Sequence, residues 1–272
     1  MRVAVYTIKG GVGKTSVVLF LGMAFAIIHN KKVLLVDTDL QGDLTYRVFD
    51  NERTKFTVTG EEYGVARFAT TPNAEFRAVQ VLNNLYVAPM EYDAFLSIDS
   101  QQTIMRRLAD IPTDQYDIVL FDTPPSFDRN SAAELLNNVD AFFTVVAPAY
   151  QSISIINAEL RLIVPSIATR IRNVPYFIGV IRNDVYGTTS LEILNAINSL
   201  NEVCDGMHNV PHFKPCVFGN SIARRQRIFN YNDIAYNIKT GNTRRLSSLL
   251  MNTNADKVAE EFLFRLSNAR VR

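Results

Sequence analysis

The chain has 272 residues, 47% of them apolar and 20% charged, with a formal net charge of +1. That length and balance suit one sizeable α/β domain, 1–272, and exclude a mainly disordered chain. Near neutrality excludes bulk attraction as the means of holding an anionic partner, so any such partner needs a local patch.

Read in chain order, residues 3–8 form a short β-branched run and predict a strand. No small-residue cleavage site precedes or follows it, so a cytoplasmic chain without a signal peptide is expected. The strand leads into Ile8-Lys9-Gly10-Gly11-Val12-Gly13-Lys14-Thr15-Ser16 and then a helix near 14–29. Glycines at this spacing let the backbone curl so that successive N–H groups face phosphate oxygens at a helix N-terminus. Lys14 then reaches the outer phosphates and the Thr15 hydroxyl is placed to ligate Mg²⁺. The usual first glycine of such a loop is Ile8 here. The longest apolar stretch, 17–28, is too short to span a bilayer.

The next strand, 33–37, ends in Asp37-Thr38-Asp39-Leu40-Gln41-Gly42-Asp43. Two carboxylates one residue apart at a strand's carboxyl end lie where open α/β sheets bind ligands. Region 43–84 has many polar residues and few clear periods, and no element is assigned to it. Further strands are expected at 85–89, 117–122, 141–147 and 177–181, with helices near 100–110, 129–138, 152–171, 188–203 and 255–268. The run Ile118-Val119-Leu120-Phe121-Asp122-Thr123-Pro124-Pro125 is a buried strand ending in an acid, which suits a second Mg²⁺ partner, Asp122. Alternation of strands and helices predicts a mostly parallel twisted sheet with helices on both faces. Cys204 and Cys216 are twelve apart, not a metal or redox spacing, and are expected as reduced thiols. His208 and His212 flank Pro211 and are expected in a loop.

Taken together, KGGVGKTS, the Asp37–Asp43 segment and the Asp122-Thr123-Pro124-Pro125-Ser126 segment resemble the deviant Walker A ATPases of the ParA/MinD family. The resemblance implies that Lys9 crosses to a second subunit and touches its nucleotide, so that ATP joins two copies into a homodimer. It implies that Asp39 orients the attacking water, that Asp37 supports the magnesium shell and that Asp122 holds Mg²⁺ through water. It also implies that residues 123–126 sense the γ-phosphate and that Asn183, in Gly179-Val180-Ile181-Arg182-Asn183, meets adenine; a turn asparagine is the other reading of that residue. Leu40 stands where the family has proline, and Asp43 where it has asparagine.

Which job the ATPase does depends on 220–245, where Arg224, Arg225, Arg227, Lys239, Arg244 and Arg245 face a single acid, Asp233. With Phe229, Tyr231 and Tyr236 interleaved, that run suits contact with the phosphate backbone of DNA, a solvated basic face being the other reading. The expected partners are non-specific DNA and a centromere-binding or adaptor protein that stimulates hydrolysis, with the protein associated with the nucleoid. The alternative is a MinD-like membrane cycle, which needs a basic amphipathic C-terminal helix. Residues 255–266 do carry an apolar stripe, but the opposite face is read as mixing Lys257, Glu260, Glu261 and Arg265, which favours packing on the sheet over membrane binding. An assembly ATPase resembling the nitrogenase iron protein would need cysteines near the second switch, and both lie far beyond it.

Overall fold

The computed structural model describes residues 1–49, 64–91, 98–125, 129–184, 191–223 and 231–269. Its strands are β1 (Arg2–Val5), β2 (Val33–Asp37), β3 (Val79–Leu82), β4 (Leu85–Ala88), β5 (Ile118–Asp122), β6 (Ala141–Val146), β7 (Tyr176–Asp184) and β8 (Val217–Ala223). Among the described residues they form one sheet in the order β3-β4-β2-β5-β1-β6-β7-β8, parallel except for the β3–β4 pair. Every residue of β2, β5 and β6 is buried, as expected for strands covered on both faces.

The helices are α1 (Lys14–Ile27), α2 (Asp43–Phe49), α3 (Val65–Thr70), α4 (Ile98–Arg107), α5 (Arg129–Asn137), α6 (Tyr150–Ala158), α7 (Val164–Ala168), α8 (Leu191–Asp205), α9 (Tyr231–Lys239), α10 (Thr243–Asn252) and α11 (Ala255–Ala269). One buried cluster joins one sheet face to α3–α8, and the other joins the opposite face to α1, α2 and α9–α11. A wide π turn, Glu159–Ile163, links α6 to α7, so the expected helix near 152–171 is a composite. Region 43–84, unassigned in the sequence, supplies α2, α3 and β3, while 50–63 lies outside the described residues.

Two sequence expectations are overturned. Cys204 and Cys216 are joined in a disulfide and are not reduced thiols. Both are buried, and the turn from α8 back to β8 brings their Cα atoms to 6.4 Å, inside the span a disulfide bridges. Arg265, read as part of an exposed polar face, is 2% exposed.

The physical reason for the second correction lies between β7 and β8, where the pairing register shifts after Val180. The Arg265 guanidinium donates to the carbonyls of Ile178, Cys216 and Val217 and to Glu261, and stacks 4.0 Å from the Phe218 ring centroid. Glu261 in turn accepts from the N–H groups of Gly219 and Asn220. The pair thus supplies donors and acceptors to backbone groups along the shifted ladder. Gly179, at φ +141°, leaves the room: a Cβ there would lie 2.1 Å from the Cys216 carbonyl oxygen and 2.6 Å from Arg265 Nη1.

Replacing Arg265 with methionine should therefore take a donor from three carbonyls and from Glu261 at once. Breaking such a pair costs about 3 kcal/mol or more, a fall of roughly 6–12 °C in melting midpoint for a chain of this size. Arg265→Lys should recover only part of it, because an ammonium lacks the planar fork. Thermal melts of the three proteins check this.

Candidate functional site

The site forms where the chain leaves the carboxyl ends of β1, β2 and β5. Between β1 and α1 the backbone turns through left-handed conformations at Gly11 (φ +75°) and Gly13 (φ +93°), which only glycine adopts without strain. Gly11 faces open space, and Gly10 lies against Pro125, so the segment after β5 abuts the loop. Lys14 is 6% exposed, and its Nζ donates to the Lys9 carbonyl at 3.4 Å. Burial pushes the Lys14 pKa down, against the attraction of Asp122, Asp39 and Glu159. The Lys9 N–H donates to Thr7 Oγ1, and the Lys9 residue itself is partly exposed.

Asp37 and Asp122 are register partners at the ends of adjacent strands, and both are fully buried. Asp37 accepts from the N–H groups of Asp39 and Thr45 and, at 2.6 Å, from the Thr45 hydroxyl. Burial nevertheless pushes its pKa up to about 7. Asp39 accepts from the Gln41 N–H, and burial raises its pKa as well, with Asp43 adding to the rise and Lys14 opposing it. Leu40 packs on the core beneath, and the turn closes with Gly42 N–H donating to the Asp39 carbonyl.

Asp122 differs from its neighbours. Both of its carboxylate oxygens are buried without a hydrogen-bond partner. Burial first and the Asp37 charge second hold its pKa well above the ordinary carboxylate range. The Thr15 side chain offsets part of that rise without completing a hydrogen bond of normal geometry to either oxygen. A buried acid with two idle oxygens beside a hydroxyl is a fitting donor set for a hard divalent cation, and the open glycine loop is a fitting cradle for phosphate.

Asn183, on β7, reaches the loop from the other side. Its Nδ2 donates to the Val12 carbonyl at 2.8 Å, and a Cβ on Gly13 would lie 2.1 Å from that nitrogen. The structure thus gathers Lys9, Gly10–Gly13, Lys14, Thr15, Ser16, Asp37, Asp39, Asp122 and Asn183 around one loop. Ser126, the last residue of the proposed sensing segment, lies outside the described residues.

Arg224, Arg225, Arg227 and Phe229 also lie outside the described residues. Lys239, Arg244 and Arg245 are exposed on the neighbouring helices α9 and α10, with Tyr236 65% exposed beside them. The sequence reading missed Arg47, whose Nη1 donates to Ser16 Oγ at 2.6 Å, and Gln101, whose Nε2 donates to the Thr38 carbonyl. It also missed Glu159, fully buried against the start of the phosphate loop. A lone acid in 153–168, a segment of mostly apolar residues, was the available signal.

A family model described as an AAA domain matches residues 1–168, more than half of the chain. The chain belongs to the ParA/MinD family. Cell division protein PomZ of Myxococcus xanthus is 31% identical over 146 residues, 51% of this chain and 44% of PomZ. Cytosolic Fe-S cluster assembly factor cfd1 of Neurospora crassa is 32% identical over 133 residues, 47% of this chain and 43% of that protein. The chain thus spans about half the length of the curated relatives it matches or less. Among solved structures, pNOB8 ParA superposes with a TM-score of 0.72 at 19% identity, covering 98% of both chains. MinD of Pyrococcus furiosus gives 0.63 at 17%, again over 98% of both. These likenesses carry the fold: a mostly parallel P-loop sheet, as the sequence predicted, with eight strands where the sequence reading found six.

The raised carboxylates give this family member a defined pH response in the absence of nucleotide and metal. Asp37 ordinarily titrates at 3.8 and Glu159 at 4.5, and burial raises each to about 7. Between those values the fold keeps protons that the unfolded chain has released, so stability falls as pH rises from about 4 to 7. Melting midpoints measured from pH 5 to pH 8 should decline, and Asp37→Asn should flatten the decline. A midpoint that rises across this range overturns the assignment.

Proposed function

We propose that residues 1–272 form a ParA-like ATPase that dimerises on binding ATP with Mg²⁺ and binds DNA without reading its sequence. Its hydrolysis of ATP drives the segregation or positioning of a plasmid, a chromosome or another cargo, in the cytoplasm and on the nucleoid. The observation that carries this reading is the convergence of the glycine loop, Lys14, Asp37, Asp39 and the unpartnered Asp122 at one edge of the sheet.

In this reading the N–H groups of Gly10–Thr15 and Ser16 cradle the phosphates, and Lys14 supplies charge to the outer two. Thr15 and Asp122, with Asp37 behind them, hold the magnesium ion, which when bound neutralises charge developing on the transferred phosphoryl group. Asp39 orients the attacking water, and positioning of that kind is most of what phosphoryl transfer asks of a protein. Lys9 reaches the nucleotide of the second copy, and Asn183 borders the base. A centromere-binding or adaptor protein stimulates an otherwise slow turnover.

Support for DNA as the partner comes from the exposed Lys239, Arg244, Arg245 and Tyr236 on α9 and α10, following the basic segment 224–227 in the chain. A protein of the same fold, pNOB8 ParA, is bound to nonspecific DNA in one solved structure, at a TM-score of 0.69 and 20% identity. The membrane-cycling alternative loses ground because α11 buries Ala255, Val258, Ala259, Phe262 and Leu266 against the core. No helix among the described residues is long and apolar enough to cross a membrane.

Two variants separate binding from chemistry. Asp39→Ala should keep ATP affinity within about threefold while hydrolysis falls about 100-fold, because it removes a water contact and no phosphate contact. Lys14→Ala should weaken ATP binding itself. Equal loss of ATP affinity in both, by calorimetry, would overturn the role given to Asp39.

For DNA, the ATP-bound protein should hold unrelated duplexes with similar affinity, and binding should fall steeply with salt. Arg244→Glu with Arg245→Glu should lower the slope of log affinity against log salt by about 2, if each arginine neutralises one phosphate. Filter binding at several salt concentrations measures this; an unchanged slope removes α10 from the interface, and binding only to anionic vesicles would move the reading to a membrane cycle.

A further inference from the structure

Glu159 is the most deeply buried acid that the proposed chemistry leaves unused. It opens the π turn between α6 and α7 and is 0% exposed. Its Oε2 accepts from the Thr7 hydroxyl at 2.9 Å and from the Ile8 N–H at 3.1 Å. Thr7 Oγ1 accepts in turn from the Lys9 N–H at 3.2 Å. One carboxylate therefore fixes three consecutive residues where β1 turns into the phosphate loop, and the last of them is Lys9. Burying an acid this completely is unfavourable unless it is well paired, and only one oxygen is. Glu159 Oε1 is buried with no hydrogen-bond partner. A helix that needed only to pack on the core would keep an apolar residue here, as it does at Ile156, Leu160, Val164 and Ile167.

The local geometry explains how the acid reaches the loop. A π turn holds an extra residue and swings the side chains that follow onto a new face of the helix, and such turns recur at functional sites. Here it lets α6 and α7 both bury apolar residues while Glu159 points to the end of β1. Ile8 occupies the position where phosphate loops usually begin with glycine, so the backbone there is less free to settle by itself. The carboxylate acts as an external brace for that position.

We infer that Glu159 is a positioning residue for nucleotide turnover, acting through Thr7 and Ile8 to fix the backbone from which Lys9 projects. The inference rests on the ATPase reading for its kinetic consequence and on geometry alone for the brace. If it holds, losing the brace disorders the start of the loop and misplaces Lys9, while Lys14 and the rest of the cradle keep most of the ATP affinity. Turnover suffers and binding does not.

The test uses Glu159→Ala, Glu159→Gln and Thr7→Val in the full chain, with amide exchange resolved at residues 8 and 9, ATP affinity, kcat and KM. In Glu159→Ala, exchange at Ile8 and Lys9 should rise at least tenfold and kcat should fall at least tenfold, with KM for ATP within threefold. Glu159→Gln should restore both to within threefold of the original protein, because its amide oxygen still accepts from Ile8 and Thr7. Thr7→Val should raise exchange at Lys9 more than at Ile8, and it reports on the brace even if Glu159→Ala folds poorly. Unchanged exchange in Glu159→Ala and Thr7→Val overturns the brace. Equal kcat losses in Glu159→Ala and Glu159→Gln overturn positioning in favour of charge. An unmodified protein that hydrolyses no ATP overturns the ATPase reading instead, and the exchange measurements still decide the brace.

Discussion

One buried ammonium, that of Lys14, faces Asp39, Asp122 and Glu159, with Asp37 coupled to the group through its neighbours. Burial pushes each of the four acids toward its protonated form and pushes Lys14 toward its uncharged one. Such a cluster is held together by the sheet, because β1, β2 and β5 bring their ends to one edge and their bulk removes water. The strands fix where the charges sit, and the charges in turn make the edge a place of unmet electrostatic demand. A cation with an anionic ligand is the combination that answers both signs at once.

The surrounding hydrogen bonds show how the fold keeps such an edge from relaxing. The Thr38 N–H and hydroxyl both donate to the Asp122 carbonyl, and the Thr123 hydroxyl donates to that of Val5. Thr45 donates to Asp37 and accepts from the Met90 N–H, tying β2, α2 and the end of β4 into one network. These short side chains satisfy the backbone where the strands end, while both oxygens of Asp122 are left idle. Two idle oxygens on one acid, at an edge braced in this way, are a feature of the site and not of poor packing.

Much of this was legible in the residues. Strands such as 33–37 and 141–147 announce themselves as continuous apolar runs because both faces are covered, and the phosphate loop announces itself because few backbones need that many glycines before Lys-Thr. What escaped did so for physical reasons. β3 alternates half-buried and exposed positions at the sheet edge, and β8 is broken by Gly219, Asn220 and Ser221, so neither shows the buried-strand pattern. Arg265 followed the helical rule that charge faces water, until tertiary structure offered it three carbonyls. Glu159 and Arg47 act through atoms distant in sequence, and their partners are invisible to any local pattern. The cysteines carried no spacing signal because their pairing depends on how the chain turns back from α8 to β8.

The link between Arg265, Glu261 and the β7–β8 seam has a consequence for the order in which the molecule can be assembled. Chains are made from the N-terminus, and domains begin to fold as they emerge. β4, β2, β5 and β1 can pair early, since all four lie within the first half of the sequence and are consecutive in the sheet. β8 cannot: the carbonyl of Val217 and the amides of Gly219 and Asn220 wait for side chains about forty residues or more further on. Until residue 265 has been made, the outermost parallel strand is the part of a nascent sheet most open to a wrong strand. The C-terminal helix is thus the clasp that closes the sheet last.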